Sequence, residues 1–225
     1  TGSCGPLSSA SVALTVDRIP DALATDASIC SGQTTSIAIT NPNVVPSTTF
    51  TWPVQSATNV TGALPGSGNL IAQALTSTDG VNSGTVTYLI LPAAAGCVGV
   101  PYAVNVTVKP IPNVAALPQS ICSGANTSVA ITNPNGVAGT TFNWVVFSSS
   151  NVSGAAAGSG TTISQALTVT DGITSGTVTY RITPTANGCS GNFLDVVVTV
   201  NPAPVITNTS TSLIQEICSA TTLNF

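Results

Sequence analysis

Apolar residues alternate with polar residues along most of the chain. Phe50, Trp52 and Val54 show this spacing, with one apolar side chain at every second position. A period of two is typical of strands that bury one face, and no window has a convincing helical period. The sequence therefore predicts an all-β fold.

Turn-forming residues separate the apolar runs. The Asn41-Pro42-Asn43, Gly66-Ser67-Gly68 and Asp79-Gly80 segments are of this kind. Six or seven short strands in each stretch of about 90 residues predict an antiparallel sandwich of two sheets.

Four aromatic residues are predicted to lie in the sandwich cores. A Trp on the third strand would face a Tyr on the penultimate strand, as in immunoglobulin-like cores. The predicted core residues are Trp52 and Tyr88 in one sandwich and Trp144 and Tyr180 in the other. Such rings can also stack on sugars, but their alternation with Phe50 and Phe142 favours the inward face. Phe147, which replaces Gln55 of the first copy, is the one aromatic considered as a contact site.

The sequence contains a tandem repeat. Residues 30–97 and 122–189 align without a gap at an offset of 92, and 44 of the 68 aligned positions are identical. Both copies begin with CSG, continue through ITNPN, GSG and GTVTY, and end with GC. Similarity of this degree predicts one fold for both copies.

The repeat also sets the predicted domain boundaries. Residues 1–17 match the last strand of a preceding repeat, 18–109 and 110–201 are two complete sandwiches, and 202–225 open a following repeat. A longer array, with any export signal upstream, is the expected parent. Connectors that contain proline stiffen the chain, so the sandwiches are predicted to lie end to end. The connectors are residues 17–21, 109–113 and 201–204.

The composition argues against several classes of function. Only 4% of the residues are charged, His is absent, and the net charge is −4. Arg18, Lys109 and Arg181 are too far apart in the sequence to form a nucleic-acid-binding patch. Without His as a proton shuttle, and without CxxC pairs, neither an enzyme nor a cofactor is predicted. The longest apolar stretch, residues 88–104, contains Pro and Gly and predicts no membrane span.

Two Asp-Gly pairs are candidate calcium ligands. Asp79-Gly80 and Asp171-Gly172 occupy equivalent turns, but each repeat supplies a single acid there. Calcium requires six to eight oxygen ligands, usually from several acids. A plain turn is therefore favoured, and no metal site is predicted.

The pattern ICSG, TTFNW, GSG, ISQALT, GTVTYRITPTANGC and VTVNP resembles the PKD-like immunoglobulin-type repeats of Bacteroidetes surface proteins. Such repeats are stacked in very large secreted proteins, including giant adhesins of gliding flavobacteria that the type IX secretion system exports. The resemblance covers nearly all of the chain and occurs twice. It implies a tandem immunoglobulin-like fold and a location outside the cell, on the bacterial surface.

Six cysteines occupy repeat-equivalent places. Cys4, Cys97 and Cys189 precede the last strand, and Cys30, Cys122 and Cys218 precede the second. In an exported chain this pattern predicts disulfides.

Three disulfide pairings stay open. The first joins Cys30 to Cys97 and Cys122 to Cys189 within each repeat, although a strict immunoglobulin topology places these cysteines at opposite poles. The second joins neighbouring units as Cys30–Cys189, and the third joins Cys97 to Cys122 around the connector. Cys4 and Cys218 are expected to pair with neighbouring repeats.

These observations predict an extracellular structural repeat. It would be a stalk or filament segment of a large adhesin that acts in gliding motility or surface attachment. The alternatives are a carbohydrate-binding accessory module of a secreted hydrolase and a self-assembling surface fibre. The expected partners are neighbouring repeats of the same chain and, beyond these, other copies of the filament or surface polysaccharide.

Overall fold

The computed structural model describes residues 16–204. Within this range the regular elements are β-strands, which confirms the all-β prediction. None of the described segments is a helix long and apolar enough to cross a membrane. Cys4 and Cys218, and most of the predicted partial repeats at 1–17 and 202–225, lie outside the described residues.

Each repeat consists of a few long strands and several strands of two residues. The first repeat contains β1 (Ala27–Cys30), β2 (Ile37–Ala38), β3 (Thr49–Trp52), β4 (Val54–Thr58), β5 (Val60–Thr61), β6 (Gly66–Ser67), β7 (Leu70–Ile71), β8 (Thr76–Ser77), β9 (Gly84–Ala94), β10 (Cys97–Val98) and β11 (Tyr102–Lys109). The second contains β12 (Gln119–Cys122), β13 (Val129–Ala130), β14 (Thr141–Ser150), β15 (Val152–Ser153), β16 (Gly158–Ser159), β17 (Thr162–Ile163), β18 (Thr168–Val169), β19 (Gly176–Ala186), β20 (Cys189–Ser190) and β21 (Leu194–Asn201).

The chain divides into two compact units that do not coincide with the repeats. The first unit contains the described residues up to Asn113 together with Asn133–Thr141 and Pro184–Asn192. The second contains Val114–Thr132, Phe142–Thr183 and the described residues from Phe193 onward. Two loops of the second repeat thus belong to the first unit.

The main sheet of the first unit has the order β1-β11-β9-β3-β6, with β4 and β10 also paired to β9. β11 runs antiparallel to β9, from Tyr102 opposite Ile90 to Val108 opposite Gly84. β1 pairs in parallel with β11 and places Cys30 opposite Lys109. The sandwich is therefore antiparallel, as predicted, except at this one pair.

The opposite layer of the first unit consists of short pieces. β2 pairs with β7 and β5 pairs with β8, each over two residues. Asn59 has a positive φ of 56° between β4 and β5, and such a residue ends a regular ladder. Interruptions of this kind explain why the structure has more and shorter strands than the six or seven that the alternation predicts.

The core of the first unit lies between these two layers. Alternate side chains of β9 and β11 point inward and are fully buried, as are two residues of the opposite layer. They are Val86, Tyr88, Ile90, Val104, Val106, Val108, Ile71 and Leu75. Trp52 packs edge-on against Tyr88, with ring centroids 5.9 Å apart, a favoured geometry for aromatic pairs. Burial raises the pKa of Tyr88 to about 12.

The second unit repeats the architecture, with the sheet order β12-β21-β19-β14-β16. Trp144 and Tyr180 are buried at the positions of Trp52 and Tyr88. One difference has a simple cause: β14 is continuous, whereas β3 and β4 are separated at Pro53. Proline has no N–H to donate to a sheet ladder, and its counterpart Val145 has one.

We expect trypsin to cut the folded chain only after Arg18. Arg181 lies inside β19, and the bond after Lys109 leads into a proline. Arg18 lies in an exposed segment outside the strands. Mass spectrometry of a limited digest would show this single cut, and denaturation before digestion should add cleavage after Arg181. Rapid cleavage after Arg181 in the native protein would contradict the structure.

Candidate functional site

A disulfide joins Cys30 to Cys189 within the first unit. Cys30 ends β1, and Cys189 lies in β20 directly after the turn that follows β19. The two Cα atoms are 5.7 Å apart, which is usual for a disulfide, although 159 positions separate the residues in the sequence. Cys189 is buried and Cys30 is half-buried. The bond ties the start of the first repeat to a loop of the second.

Hydrogen bonds within the first unit hold the two loops of the second repeat that belong to it, Asn133–Thr141 and Pro184–Asn192. The Lys109 ammonium donates to the backbone carbonyl of Asn187 at 3.0 Å. The Asn135 amide donates to the carbonyls of Ile111 at 2.9 Å and Gly80 at 3.1 Å. Sequence reasoning assigned no role to Asn135 and named only the equivalent turn of the first repeat, Asn41-Pro42-Asn43. Its side-chain role was signalled by the strict repetition of the Asn-Pro-Asn motif.

The cysteine pairing corrects two of the three alternatives. Among residues 16–204 the structure contains neither of the within-repeat disulfides, and Cys97 and Cys122 have free thiols there. Cys30 lies beside Lys109 at the end of β11, whereas Cys97 precedes the start of that strand at Tyr102. Seven strand steps correspond to roughly 24 Å. A bond between Cys30 and Cys97 is therefore out of reach, as the objection from immunoglobulin topology requires. The connector pairing Cys97–Cys122 is absent as well.

An arginine between two exposed aromatic rings marks one face of the second repeat. The Arg181 guanidinium carbon lies 3.7 Å from the centroid of the Phe147 ring and 3.9 Å from that of Phe193. Its Nε and Nη2 donate to the two carboxylate oxygens of Asp195 at 2.8 and 2.7 Å. These hydrogen bonds raise the pKa of Arg181 and lower the pKa of Asp195. We call these four residues the arginine–aromatic face.

The arginine–aromatic face is peculiar to the second repeat. The first repeat has Gln55, Leu89, Pro101 and Ala103 at the corresponding positions. Sequence reasoning selected Phe147 alone and missed the other three residues. The signal that could have found Arg181 and Asp195 was the register of β19 with β21, which places these two residues opposite each other. Both rings are more than half exposed, so the face presents aromatic surface to the solvent.

The Asp-Gly turns use their carboxylates inside the turn. Asp79 Oδ1 accepts hydrogen bonds from the backbone N–H groups of Val81 and Asn82, both at 2.9 Å, and Oδ2 accepts from the Asn82 amide. Asp171 accepts in the same way from Ile173 and Thr174. Among the described residues, no three acids or cysteines lie close enough to hold a metal ion. The arrangement fits a structural turn.

These turns predict a loss of stability in acid. Hydrogen bonds from the Asn82 side chain, and then from the backbone, hold the pKa of Asp79 well below its usual range, and those from Thr174 and Asn151 lower that of Asp171. A carboxylate with a depressed folded-state pKa contributes stability that is present above the unfolded-state pKa, near 4, and is lost as the pH falls further. We expect the thermal midpoint to be flat near neutral pH and to fall below about pH 4.

The control for the acid prediction is the double variant Asp79→Asn, Asp171→Asn. Asparagine keeps a side-chain oxygen as acceptor but does not titrate in this range. Its thermal midpoint should therefore depend less on pH below 4 than that of the natural protein. If the thermal midpoints of both proteins fell by the same amount below pH 4, the role assigned to the two carboxylates would be contradicted.

Residues 27–112 and 119–204 each match the family model of the PKD-like domain. The chain belongs to the PKD-like domain family. The two matches cover most of the sequence, and each PKD-like domain contains one of the Trp–Tyr cores described above. Domains of this kind are typically non-catalytic structural modules of extracellular proteins. No curated protein matches the sequence.

Several solved structures with tandem immunoglobulin-like or cadherin domains are similar to the chain at low identity. A titin I67–I69 variant is 13% identical with a TM-score of 0.39, and the match covers 81% of this chain and 65% of the titin fragment. Protocadherin gamma B2 extracellular domains 3–6 are 12% identical with a TM-score of 0.39, over 84% and 52%. The insect immune protein hemolin is 15% identical with a TM-score of 0.36, over 81% and 46%.

Proposed function

We propose that this pair of PKD-like domains is a load-bearing segment of a bacterial surface adhesin, with its sandwiches end to end in a stalk or filament. The observation that carries the proposal is the Cys30–Cys189 disulfide. It links the first strand of one PKD-like domain to a loop of the next, on either side of the connector at Pro110. A covalent bond across a connector limits the freedom of the two domains, and it persists in the oxidising environment outside cells.

The connector itself supports the same proposal. Pro110 and Pro112 lack backbone donors and favour extended geometry. Each PKD-like domain has its own buried aromatic core, so neither needs the other to cover apolar surface. In this proposal the module has a structural role: it holds the parts of the chain on either side of it apart, and it has no catalytic role. Export by the type IX system, a surface location and a part in gliding or attachment belong to this proposal through the family resemblance.

Small-angle scattering tests the stalk proposal. A compact globule of this length has a radius of gyration of roughly 17 Å. We expect a clearly larger value for the oxidised chain, and a broader distribution of sizes after reduction of the disulfide. A value near that of a compact globule in oxidising buffer would overturn the end-to-end proposal.

Contact with polysaccharide is a second candidate function, favoured by the exposed rings of the arginine–aromatic face. Phe147 and Phe193 can lie against the apolar side of a sugar, as aromatic platforms do in carbohydrate-binding modules. Affinity electrophoresis in gels that contain soluble xylan or alginate tests this. A carbohydrate contact predicts retardation that the variant Phe147→Gln, Arg181→Leu abolishes, since these are the residues of the first repeat. Equal mobility with and without polysaccharide would exclude this role for the two polymers tested.

A further inference from the structure

The free thiols of Cys97 and Cys122 are the repeat counterparts of the bonded pair. Cys122 corresponds to Cys30, and Cys97 corresponds to Cys189, both at the offset of 92. Each repeat thus has a leading cysteine, Cys30 or Cys122, and a trailing cysteine, Cys97 or Cys189. The disulfide joins the leading cysteine of the first repeat to the trailing cysteine of the second. The bonded cysteines are also the less exposed members: Cys189 is buried where Cys97 is half-buried, and Cys30 is half-buried where Cys122 is exposed.

The backbone at Cys122 has the geometry of the backbone at Cys30. Cys122 ends β12 opposite Asn201 of β21, as Cys30 ends β1 opposite Lys109 of β11. The N–H of the residue after each cysteine donates to the carbonyl of that partner, at 2.7 Å in both repeats. No rearrangement of the strand is therefore needed before Cys122 can accept a partner thiol.

The turn at Cys97 likewise matches the turn at Cys189. Cys97 pairs with Ala94 across the β9–β10 hairpin, and Cys189 pairs with Ala186 across the β19–β20 hairpin. The two turn residues have positive φ in both repeats: 48° and 81° before Cys97, 53° and 82° before Cys189. The side chains of both cysteines therefore start from the same local backbone conformation.

In each repeat, the segment that follows this hairpin lies against the connector that precedes the repeat. A Cβ built on Gly191 would lie 1.9 Å from the Pro112 carbonyl oxygen, and one built on Gly99 would lie 1.9 Å from that of Pro20. Only glycine permits this close approach. The end of the first repeat that contains Cys97 is thus built around its own connector, like the end of the second repeat that contains Cys189.

The Asn-Pro-Asn turns complete the correspondence. The Asn135 amide donates to the carbonyl of Ile111 in the connector, and the Asn43 amide donates to the carbonyl of Ile19 at 2.6 Å. Asn135 also donates to Gly80, in the Asp-Gly turn of the first repeat. The counterpart of Gly80 in the second repeat is Gly172. Each repeat therefore has both halves of this contact.

We infer that Cys97 and Cys122 form the Cys30–Cys189 type of disulfide with adjacent PKD-like repeats of the same array. Cys97 bonds the leading cysteine of the repeat before it, and Cys122 bonds the trailing cysteine of the repeat after it. Every internal repeat is then covalently joined to both neighbours. Each bond forms from two thiols, and the two electrons and two protons reduce an external disulfide such as oxidised glutathione to two thiols. The inference requires that the two repeats belong to a longer array, but it does not require that the array acts in adhesion.

The test uses the full chain with residues 18–201 duplicated in tandem after Asn201. The duplication adds two periods of 92 residues, so Cys122 of the first copy and Cys97 of the second lie 159 positions apart, as Cys30 and Cys189 do. After oxidation with oxidised glutathione and alkylation, mass spectrometry should find a peptide that links Cys122 to Cys97. Peptides that link Cys30 to Cys189 report correct folding of both copies. A folded product in which both copies of Cys122 are alkylated would overturn the inference.

Two matched variants identify which copies contribute to the bond. Cys122→Ser in the first copy should abolish the Cys122–Cys97 peptide, whereas Cys97→Ser in the first copy should leave it unchanged. Loss of the peptide in the Cys97→Ser variant would show a bond within the first copy, and its retention in the Cys122→Ser variant would show a bond within the second copy; either result would contradict the inference. Cross-linked dimers of the product in place of the internal bond would contradict it as well.

A second measurement does not depend on folding of the duplicated chain. Two forms of the natural chain are prepared, one with Cys97→Ser and one with Cys122→Ser, each also with Cys4→Ser and Cys218→Ser. Mixed with oxidised glutathione, they should form a disulfide-linked heterodimer through the remaining Cys122 and Cys97. Neither form alone should dimerise to the same extent. Equal dimer yields in the mixture and in the separate forms would overturn the inference.

Discussion

Replacing Cys30 by serine is expected to lower the free energy of unfolding by about 2–5 kcal/mol. The bond closes a loop with a sequence separation of 159. A cross-link over a loop of this length removes much conformational entropy from the unfolded chain, and chain-entropy arithmetic gives roughly 5 kcal/mol as the upper figure. The thermal midpoint in oxidising buffer, followed by calorimetry, should fall by several degrees. A reducing agent should lower the midpoint of the natural protein to a similar value.

The repeat supplies a matched control for this substitution. Cys122 is the counterpart of Cys30 in sequence and backbone geometry but has a free thiol. Cys122→Ser in the isolated chain should therefore change the midpoint by less than a degree or so, because surface substitutions away from specific contacts are usually within about 0.5 kcal/mol. If both serine variants lost the same stability, the loss would be due to local contacts and not to the bond.

The strand pattern was predictable because alternation depends on local sequence. Val104, Val106 and Val108 show the period of two, and all three are fully buried. The broken layer opposite them was less predictable, since a residue such as Asn59 interrupts the ladder through its own backbone conformation. Such a conformation does not change the hydrophobic pattern.

The site was less predictable than the fold because it depends on distant pairs. Both cysteines of the bond were recognisable, but the choice of partner depends on which end of the sandwich each one occupies. That position follows from the parallel register of β1 with β11, which places Cys30 beside Lys109. A parallel pair between the first and last strands of a repeat has no local signature. Arg181 and Asp195 were missed for the same reason, since only the strand register brings them together.

The first glycine of the Gly-Ser-Gly motif has a packing role that the sequence does not reveal. Gly158 pairs with Trp144 across β14 and β16. A Cβ built on Gly158 would lie 2.6 Å from Cζ2 of the buried Trp144 ring. Real Cβ atoms do not approach an atom so closely, so the indole occupies the space that any other residue would fill. The first repeat has the same arrangement, since a Cβ built on Gly66 would lie 2.1 Å from Cη2 of Trp52.

We expect Gly158→Ala to lower the free energy of unfolding by about 1–3 kcal/mol, because overpacking forces side chains out of their preferred rotamers. Trp144→Phe should also destabilise, since it leaves space in a close-packed core. The double variant should be more stable than the sum of the single losses predicts. The smaller ring leaves room for the new methyl group, and neighbouring sites in contact couple by about 0.5–3 kcal/mol. Urea unfolding of the natural protein and the three variants measures this coupling, and strict additivity would show that Gly158 is conserved between the repeats for a reason other than contact with the indole.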